Sequence, residues 1–108
     1  MDTQKKIHEL VTNNPIVLFM KGTPQFPQCG FSSRAVQILK ACGADNVVTV
    51  DVLADPEIRQ GVKDYANWPT VPQLYIAGEF MGGSDIMTEM YEAGDLQKCI
   101  DLLSKANN

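Results

Sequence analysis

The chain has 108 residues, of which 44% are hydrophobic and 20% are charged, and its formal net charge at pH 7 is −4. This length and composition predict one globular domain over residues 1–108 and exclude a disordered chain. The acidic balance argues against a nucleic-acid partner, because a nucleic-acid interface requires a basic face.

The N-terminal sequence and the cysteines indicate the compartment. The stretch MDTQKKIHEL has no apolar core of the kind found in a secretory leader. The longest apolar run, IVLFM at 16–20, is far shorter than the roughly 20 residues that span a bilayer. The three cysteines are an odd number, which cannot form a complete disulfide framework. We therefore expect a cytoplasmic protein with free thiols and no membrane partner.

Apolar periodicity and chain breakers predict the elements of the N-terminal half. A helix is expected over about residues 2–12, capped by Asp2 or Thr3. The run IVLFM is typical of a strand that is buried on both faces. The prolines and glycine of KGTPQFPQ predict a loop over 21–28. A second amphipathic helix is expected to begin at about Ser32.

The C-terminal half is predicted to contain three strands. The first is buried, and the other two form a hairpin. NVVTVD at 46–51 is expected to form that buried strand, and DPE at 55–57 is a strong helix start, with an acidic N-cap and a proline at the first helical position. QLYIA and FMG, separated by GE at 78–79, predict an antiparallel hairpin. GGSD at 82–85 and GD at 94–95 each open a helix. The order α-β-α-β-α-β-β-α-α is that of an α/β, thioredoxin-like fold, with a four-stranded mixed sheet flanked by helices.

Cys29 lies just ahead of the second predicted helix, in a polar loop. Unpaired N–H groups and the positive end of the helix dipole favour a thiolate at this position, and Lys21 at the end of the first strand adds positive charge. Because the thiolate is both the nucleophile and the metal ligand, Cys29 is predicted to be a catalytic or metal-binding cysteine. The alternative is a buried, inert cysteine.

The rest of the chain offers no partner for Cys29. Ser32 stands where a Cys-x-x-Cys pair would have its second thiol, and Ser32 or Ser33 is expected to cap the helix instead. Cys42 falls at the far end of the same helix, roughly 20 Å away, whereas a disulfide needs Cα atoms within about 7 Å. Cys42 and Cys99 lie on apolar stripes and are predicted to be core residues. A disulfide or metal centre at Cys29 must therefore recruit thiols from other molecules.

Four motifs follow one another along the chain: Lys21, CGFS at 29–32, WPTVPQ at 68–73 and GGSD at 82–85. Together they resemble the motifs of the monothiol CGFS-type glutaredoxins, most closely the short single-domain bacterial form. The resemblance implies a glutathione site and a [2Fe–2S] cluster that bridges two protomers. Each chain would supply Cys29 and each bound glutathione one more thiolate. The implied partners are a second copy of the chain, BolA-like proteins and apo iron–sulfur acceptor proteins.

The same resemblance assigns glutathione contacts to the matching positions. Lys21 and Arg59 would bind the glycine carboxylate of glutathione, and the backbone of Val71, beside an expected cis Pro72, would pair with its cysteine residue. The helix start at GGSD would hold the γ-glutamyl carboxylate, and Asp85 its ammonium group. The implied contacts are Lys21, Phe31, Arg59, Val71, Ser84 and Asp85.

Several of these residues also have a purely structural interpretation. Arg59 and Lys63 are spaced as neighbours on a solvated helix face. Ser84 or Asp85 could simply cap a helix. Trp68 is expected to be a packing anchor rather than a ligand contact.

Two functions would use the same thiolate and the same glutathione site. The first is storage and transfer of a [2Fe–2S] cluster. The second is a glutathione-dependent thiol–disulfide oxidoreductase, in which Cys29 attacks a mixed disulfide and a second glutathione resolves it. The loop KGTPQFPQ is longer than its counterpart in dithiol glutaredoxins, and the resemblance associates this insertion with weak oxidoreductase turnover. The carrier is favoured, and an enzymatic activity is left open.

Overall fold

The computed structural model describes residues 2–106, which form five helices and one four-stranded sheet. The predicted order of elements and the thioredoxin-like fold are confirmed. In chain order the elements are α1 Thr3–Asn13, β1 Ile16–Met20, α2 Gly30–Ala41, β2 Val47–Asp51, α3 Pro56–Ala66, β3 Gln73–Ile76, β4 Glu79–Gly82, α4 Ser84–Ala93 and α5 Asp95–Ala106.

The sheet is mixed, with the strand order β2-β1-β3-β4. β1 pairs in parallel with β2 and antiparallel with β3, and β3 pairs antiparallel with β4. The turn between β3 and β4 consists of Ala77 and Gly78, both with positive φ (52° and 81°), as a two-residue hairpin turn requires. Because β1 is an inner strand, the segment that follows Met20 leaves from the middle of the sheet, and this segment leads to the candidate site.

β1 supplies side chains to two separate cores. Ile16, Leu18 and Met20 pack on one face of the sheet, with residues of α2, α4 and α5. Val17 and Phe19 pack on the other face, with residues of α1 and α3. All five side chains are at most 2% exposed, so each stabilises the fold by about 1.5–3 kcal/mol. The all-apolar run thus forms a strand that is buried on both faces, as predicted.

Two predictions about the elements were wrong. All residues of β2 are half-buried rather than buried, because β2 is an edge strand and has a neighbour on one side only. α2 begins at Gly30 and not near Ser32, because Cys29 itself has the extended backbone of an N-cap residue (φ −155°, ψ 137°). The thiol therefore stands directly at the helix start.

Side-chain hydrogen bonds fix the ends of the helices that surround the site. Oδ1 of Asp55 accepts from the N–H groups of Glu57 (3.1 Å) and Ile58 (3.3 Å), which confirms the predicted N-cap of α3. Nε of Arg34 on α2 donates to Oγ1 of Thr88 on α4 (3.0 Å). The same hydroxyl donates to the backbone oxygen of Ser84 at 2.9 Å, so the first turn of α4 is tied to α2.

Within residues 2–106, no helix combines the length and the apolar character that crossing a bilayer would need.

Candidate functional site

Cys29 is the N-cap residue of α2, and its side chain is half-buried. Its backbone oxygen accepts from the N–H of Ser33 at 2.9 Å, which starts the helix, while its side chain makes no capping hydrogen bond. The N–H groups of the first helical turn have no partner within the helix. They are therefore available to the Cys29 sulfur.

The surroundings of Cys29 lower the pKa of its thiol. The largest contribution comes from the backbone N–H of Ser32, whose dipole favours the thiolate, and the N–H of Phe31 adds to it. The positive charge of Lys21 and the hydroxyl of Ser32 lower the pKa further. Partial burial acts in the opposite direction, because it disfavours the charged form. The backbone dipoles and the positive charge outweigh the effect of burial, and the thiolate is favoured.

Ser32 does not cap α2, which corrects the prediction that Ser32 or Ser33 would do so. The side chain of Ser32 is fully buried, and its Oγ accepts a hydrogen bond from the backbone N–H of Lys21 at 3.0 Å. Ser33 has an Oγ that accepts from Gln37 instead, at 3.2 Å. Ser32 therefore joins the start of α2 to the segment that leaves β1.

A groove of about 180 Å³ begins at Phe31, two residues after the thiol. Phe31 is 63% exposed. The groove runs between the segment that precedes β3 and the start of α4, and it brings together four of the predicted contacts: Phe31, Val71, Ser84 and Asp85. The complete lining is Phe31, Trp68, Thr70, Val71, Pro72, Gly83, Ser84, Asp85 and Ile86.

Val71 presents an unpaired backbone to this groove. The Val71–Pro72 peptide bond is cis, as the resemblance implied. In the part of the chain that the structure describes, neither the N–H nor the C=O of Val71 bonds another residue, since the ladder between β1 and β3 ends at Gln73. The side chain of Val71 is buried. An extended segment lying in the groove would find one backbone donor and one backbone acceptor here.

At the start of α4, the N-cap residue is Gly83, and no side chain among residues 2–106 caps the helix. Ser84 and Asp85 therefore do not act as caps, and the alternative interpretation, in which one of them only caps α4, is wrong. Ser84 is buried and Asp85 is exposed. The first-turn N–H groups attract a negative group, and the carboxylate of Asp85 attracts a positive one. This end of the groove is suited to a group that carries both charges.

Lys21 and Arg59 do not line the groove. Lys21 lies close enough to Cys29 for its charge to lower the pKa of the thiol. Arg59 is on α3 with a half-buried side chain, and the ion pair found among residues 2–106 joins Lys6 to Asp55 and leaves Arg59 out. The roles of Lys21 and Arg59 toward a ligand stay predictions.

Comparison with known proteins assigns the family. A sequence model described as Glutaredoxin matches residues 16–81. The chain belongs to the glutaredoxin family. It is 55% identical over 101 residues, 94% of each chain, to a protein of Synechocystis sp. (strain PCC 6803) named an uncharacterized monothiol glutaredoxin, ycf64-like. It is 52% identical over 98 residues to glutaredoxin 4 of Escherichia coli K12, which covers 91% of this chain and 84% of that one.

Solved structures agree with this assignment. The crystal structure of a buckwheat glutaredoxin–glutathione complex has a TM-score of 0.80 and 26% identity to this glutaredoxin, covering 92% of this chain and 87% of the buckwheat chain. Since the relatives by sequence include a monothiol glutaredoxin, and CGFS holds a single cysteine, this glutaredoxin is of the monothiol kind.

Trp68 and Thr70 line the groove of this glutaredoxin, although sequence reasoning had not assigned them to the site. Trp68 packs on Phe80 (ring centroids 5.5 Å apart), as expected of a packing anchor. Its Nε1 is nevertheless buried and has no hydrogen-bond partner among the described residues. Both residues belong to WPTVPQ. The sequence therefore indicated the motif, but it did not indicate that the side chains of Trp68 and Thr70 face the groove.

The other cysteines of this glutaredoxin lie away from the thiolate. Cys42 is buried in the core formed with α2, α4 and α5, and Cys99 packs against the same core. Burial and the charge of Asp101 raise the pKa of Cys42. No group of three or more His, Cys, Asp or Glu side chains suited to a metal occurs within residues 2–106. The surroundings therefore favour the thiolate at Cys29 and disfavour it at Cys42.

Proposed function

We propose that this protein is a monothiol glutaredoxin that binds glutathione and a [2Fe–2S] cluster bridged between two protomers, and that it stores and transfers the cluster. The observation that carries the proposal is the isolation of Cys29. Its pKa is lowered at the helix start, while Cys42 and Cys99 are held in or against the core and Ser32 is engaged by Lys21. A reactive sulfur without an internal partner requires external thiols.

The groove supports glutathione as the source of those thiols. Glutathione has a carboxylate at each end and one ammonium group, and the start of α4 with Asp85 is suited to its γ-glutamyl end. The free backbone of Val71 would pair with the central cysteine residue, whose sulfur would then approach Cys29. Lys21 and Arg59 would bind the glycine carboxylate. The buckwheat relative was solved as a glutathione complex, which supports this assignment.

The donor set fits half of a cluster. A [2Fe–2S] cluster takes four thiolates, and one chain supplies one from Cys29. Two chains and two glutathiones complete the set, so the proposed carrier is a homodimer when loaded. The cluster is its cargo, and an apo iron–sulfur protein or a BolA-like protein would be its partner. Three free cysteines suit a reducing compartment, and we place the protein in the cytoplasm.

The test is to prepare the protein without oxygen in the presence of glutathione, iron and sulfide, and to measure its visible spectrum and mass. The wild type is expected to be a coloured dimer with two irons and two glutathiones per two chains. Cys29→Ser is expected to be a colourless monomer, because it lacks the bridging thiolate. Cys99→Ser, which alters a sulfur packed against the core, is the matched control and should stay coloured. A colourless wild type would contradict the proposal.

A second candidate function is supported by the lowered pKa of Cys29, which suits a nucleophile. The Cys29 thiolate would attack the glutathione sulfur of a mixed disulfide and release the other thiol as a thiolate. A second glutathione thiolate would then attack the Cys29–glutathione disulfide, which releases oxidised glutathione and restores Cys29. A colourless monomer with fast turnover on a glutathione mixed disulfide would favour this function over the carrier.

A further inference from the structure

Lys21 and Gly22 connect the end of β1 to the loop ahead of Cys29, and their backbone is held at several points. The N–H of Lys21 donates to Oγ of Ser32 at 3.0 Å, and its C=O accepts from the N–H of Gln28 at 2.9 Å. Gly22 forms an isolated antiparallel bridge with Pro27. This segment carries the ammonium group whose charge acts on Cys29.

Gly22 has little freedom. Its φ is +89°, and a Cβ at this position would lie 2.5 Å from the backbone oxygen of Phe26 and 2.7 Å from the backbone N of Gln28. Gly22 is buried, so its N–H needs a hydrogen-bond acceptor within the protein. The backbone ladder of the sheet does not reach Gly22, because β1 ends two residues earlier at Met20.

Asp51 provides the acceptor. Asp51 is the last residue of β2 and lies beside Met20 in the parallel register. Its Oδ1 accepts from the N–H of Gly22 at 2.9 Å and from the N–H of Leu53 at 2.9 Å. One carboxylate oxygen thus bridges the two chain segments at the point where both leave the sheet.

We propose that Asp51 is a positioning residue, which acts through the N–H of Gly22 to hold the Lys21 ammonium beside Cys29, where it attracts anionic thiol substrates. The proposal rests on the Cys29 site of the proposed function but requires neither the cluster nor glutathione. Asp51 would act through its oxygen, which accepts the N–H of Gly22, and not through its negative charge. A negative charge near the site would weaken the attraction of anions by the Lys21 ammonium. Lys21 is a charged side chain that lowers the pKa of the Cys29 thiol.

The test compares alkylation of Cys29 by iodoacetate, an anion, with alkylation by neutral iodoacetamide, resolved by peptide mass spectrometry. Both reagents react with the same thiolate, so at one fixed pH the ratio of the iodoacetate rate to the iodoacetamide rate does not depend on the fraction of thiolate. The ratio reports the electrostatic potential at Cys29. Lys21→Ala is expected to lower this ratio about two- to fivefold, the scale of one charge a few ångströms away in water. Asp51→Asn and Asp51→Ala both remove the carboxylate charge, but only Asn keeps the oxygen acceptor.

The expected result is a ratio in Asp51→Ala that is about two- to fivefold lower than in Asp51→Asn, as large as the effect of Lys21→Ala. In a Lys21→Ala background the difference between Asp51→Asn and Asp51→Ala should vanish. Equal ratios for Asn and Ala would overturn the proposal, and so would a difference that persists without Lys21.

A second variant keeps the proposal testable if Asp51→Ala does not fold. Asp51→Glu conserves the charge and moves the acceptor by one methylene, so its ratio should fall below the wild-type ratio, and amide exchange at Gly22 should be faster. An unchanged ratio in Asp51→Glu with accelerated exchange at Gly22 would show that the bond is structural only. Because the reagents are not glutathione, these outcomes are separate from success or failure of the carrier function.

Discussion

Ser32 links the thiol to the sheet at the scale of a single residue. Its backbone N–H and its hydroxyl lower the pKa of Cys29, and the same hydroxyl oxygen accepts the N–H of Lys21. A hydroxyl can donate one hydrogen bond and accept others at the same time. Ser32, which stands where a second thiol would be, therefore both lowers the pKa of Cys29 and binds the N–H of Lys21 from a fully buried position.

Replacing Ser32 by alanine should lower the free energy of unfolding by about 1–3 kcal/mol, because the partly buried N–H of Lys21 would lose its acceptor. Ser33→Ala is the matched control, since it removes a hydroxyl from the same helical turn whose bond to Gln37 is exposed, and it should cost less than about 0.5 kcal/mol. Urea unfolding measures both variants. Equal losses would mean that the bond to Lys21 has no special weight.

At the scale of elements, Gly61 allows α1 to lie close to α3. A Cβ on Gly61 would be 2.7 Å from Cγ2 of Thr3 and 2.9 Å from Cδ1 of Ile7. Nε2 of Gln4 also donates to the backbone oxygen of Gly61 at 3.0 Å. The glycine thus sets the distance between the helix that carries Arg59 and the helix that covers it.

Gly61→Ala should destabilise the protein, although alanine is the better helix former. Overpacking costs about 1–3 kcal/mol, whereas the gain in helix propensity is about 1 kcal/mol. We expect a net loss of about 1 kcal/mol in thermal or urea unfolding, because Ile7 is fully buried and has little room to move. Gly30→Ala is a suitable control, since a Cβ at Gly30 meets open space. A more stable Gly61→Ala would refute the argument.

One whole molecule provides only part of the ligands that the proposed cluster needs. It is a small body of 35 × 29 × 24 Å in which the half-buried Cys29 favours the thiolate, and residues 2–106 contain no cluster of metal ligands to complete a centre. If two chains and two free tripeptides hold the proposed cargo, the loaded state depends on the concentrations of both. Loading is then a matter of mass action.

Removal of glutathione should therefore bleach the loaded dimer and release monomers. At constant free iron and sulfide, the concentration of loaded dimer divided by the square of the free-chain concentration should rise with about the second power of free glutathione, because two chains and two glutathiones enter each dimer. Absorbance during dialysis against a glutathione series measures this dependence. A colour that is independent of glutathione would mean that the protein supplies every ligand.

The features that were predicted from the sequence are those with local causes. The acid and proline of DPE begin α3 through bonds that span two or three residues, and the burial of β1 on both faces follows from an uninterrupted apolar run. The missed features depend on distant partners. Nothing in NVVTVD indicates that β2 has a neighbour on one side only, and the bond from Gly22 to Asp51 joins residues 29 positions apart.

The hydrogen bond between Lys21 and Ser32 also bears on how readily a monothiol protein becomes a dithiol one. Ser32→Cys would restore a Cys-x-x-Cys pair by exchanging one atom, but it would place a larger atom in a fully buried position and replace a good acceptor of the Lys21 N–H by a weak one. The new sulfur could accept a hydrogen bond from the N–H of Lys21 or form a disulfide with Cys29, and these two bonds would compete. The restriction to one thiol is thus built into the junction of strand and helix, and a gain of the second sulfur would require compensating changes around Lys21.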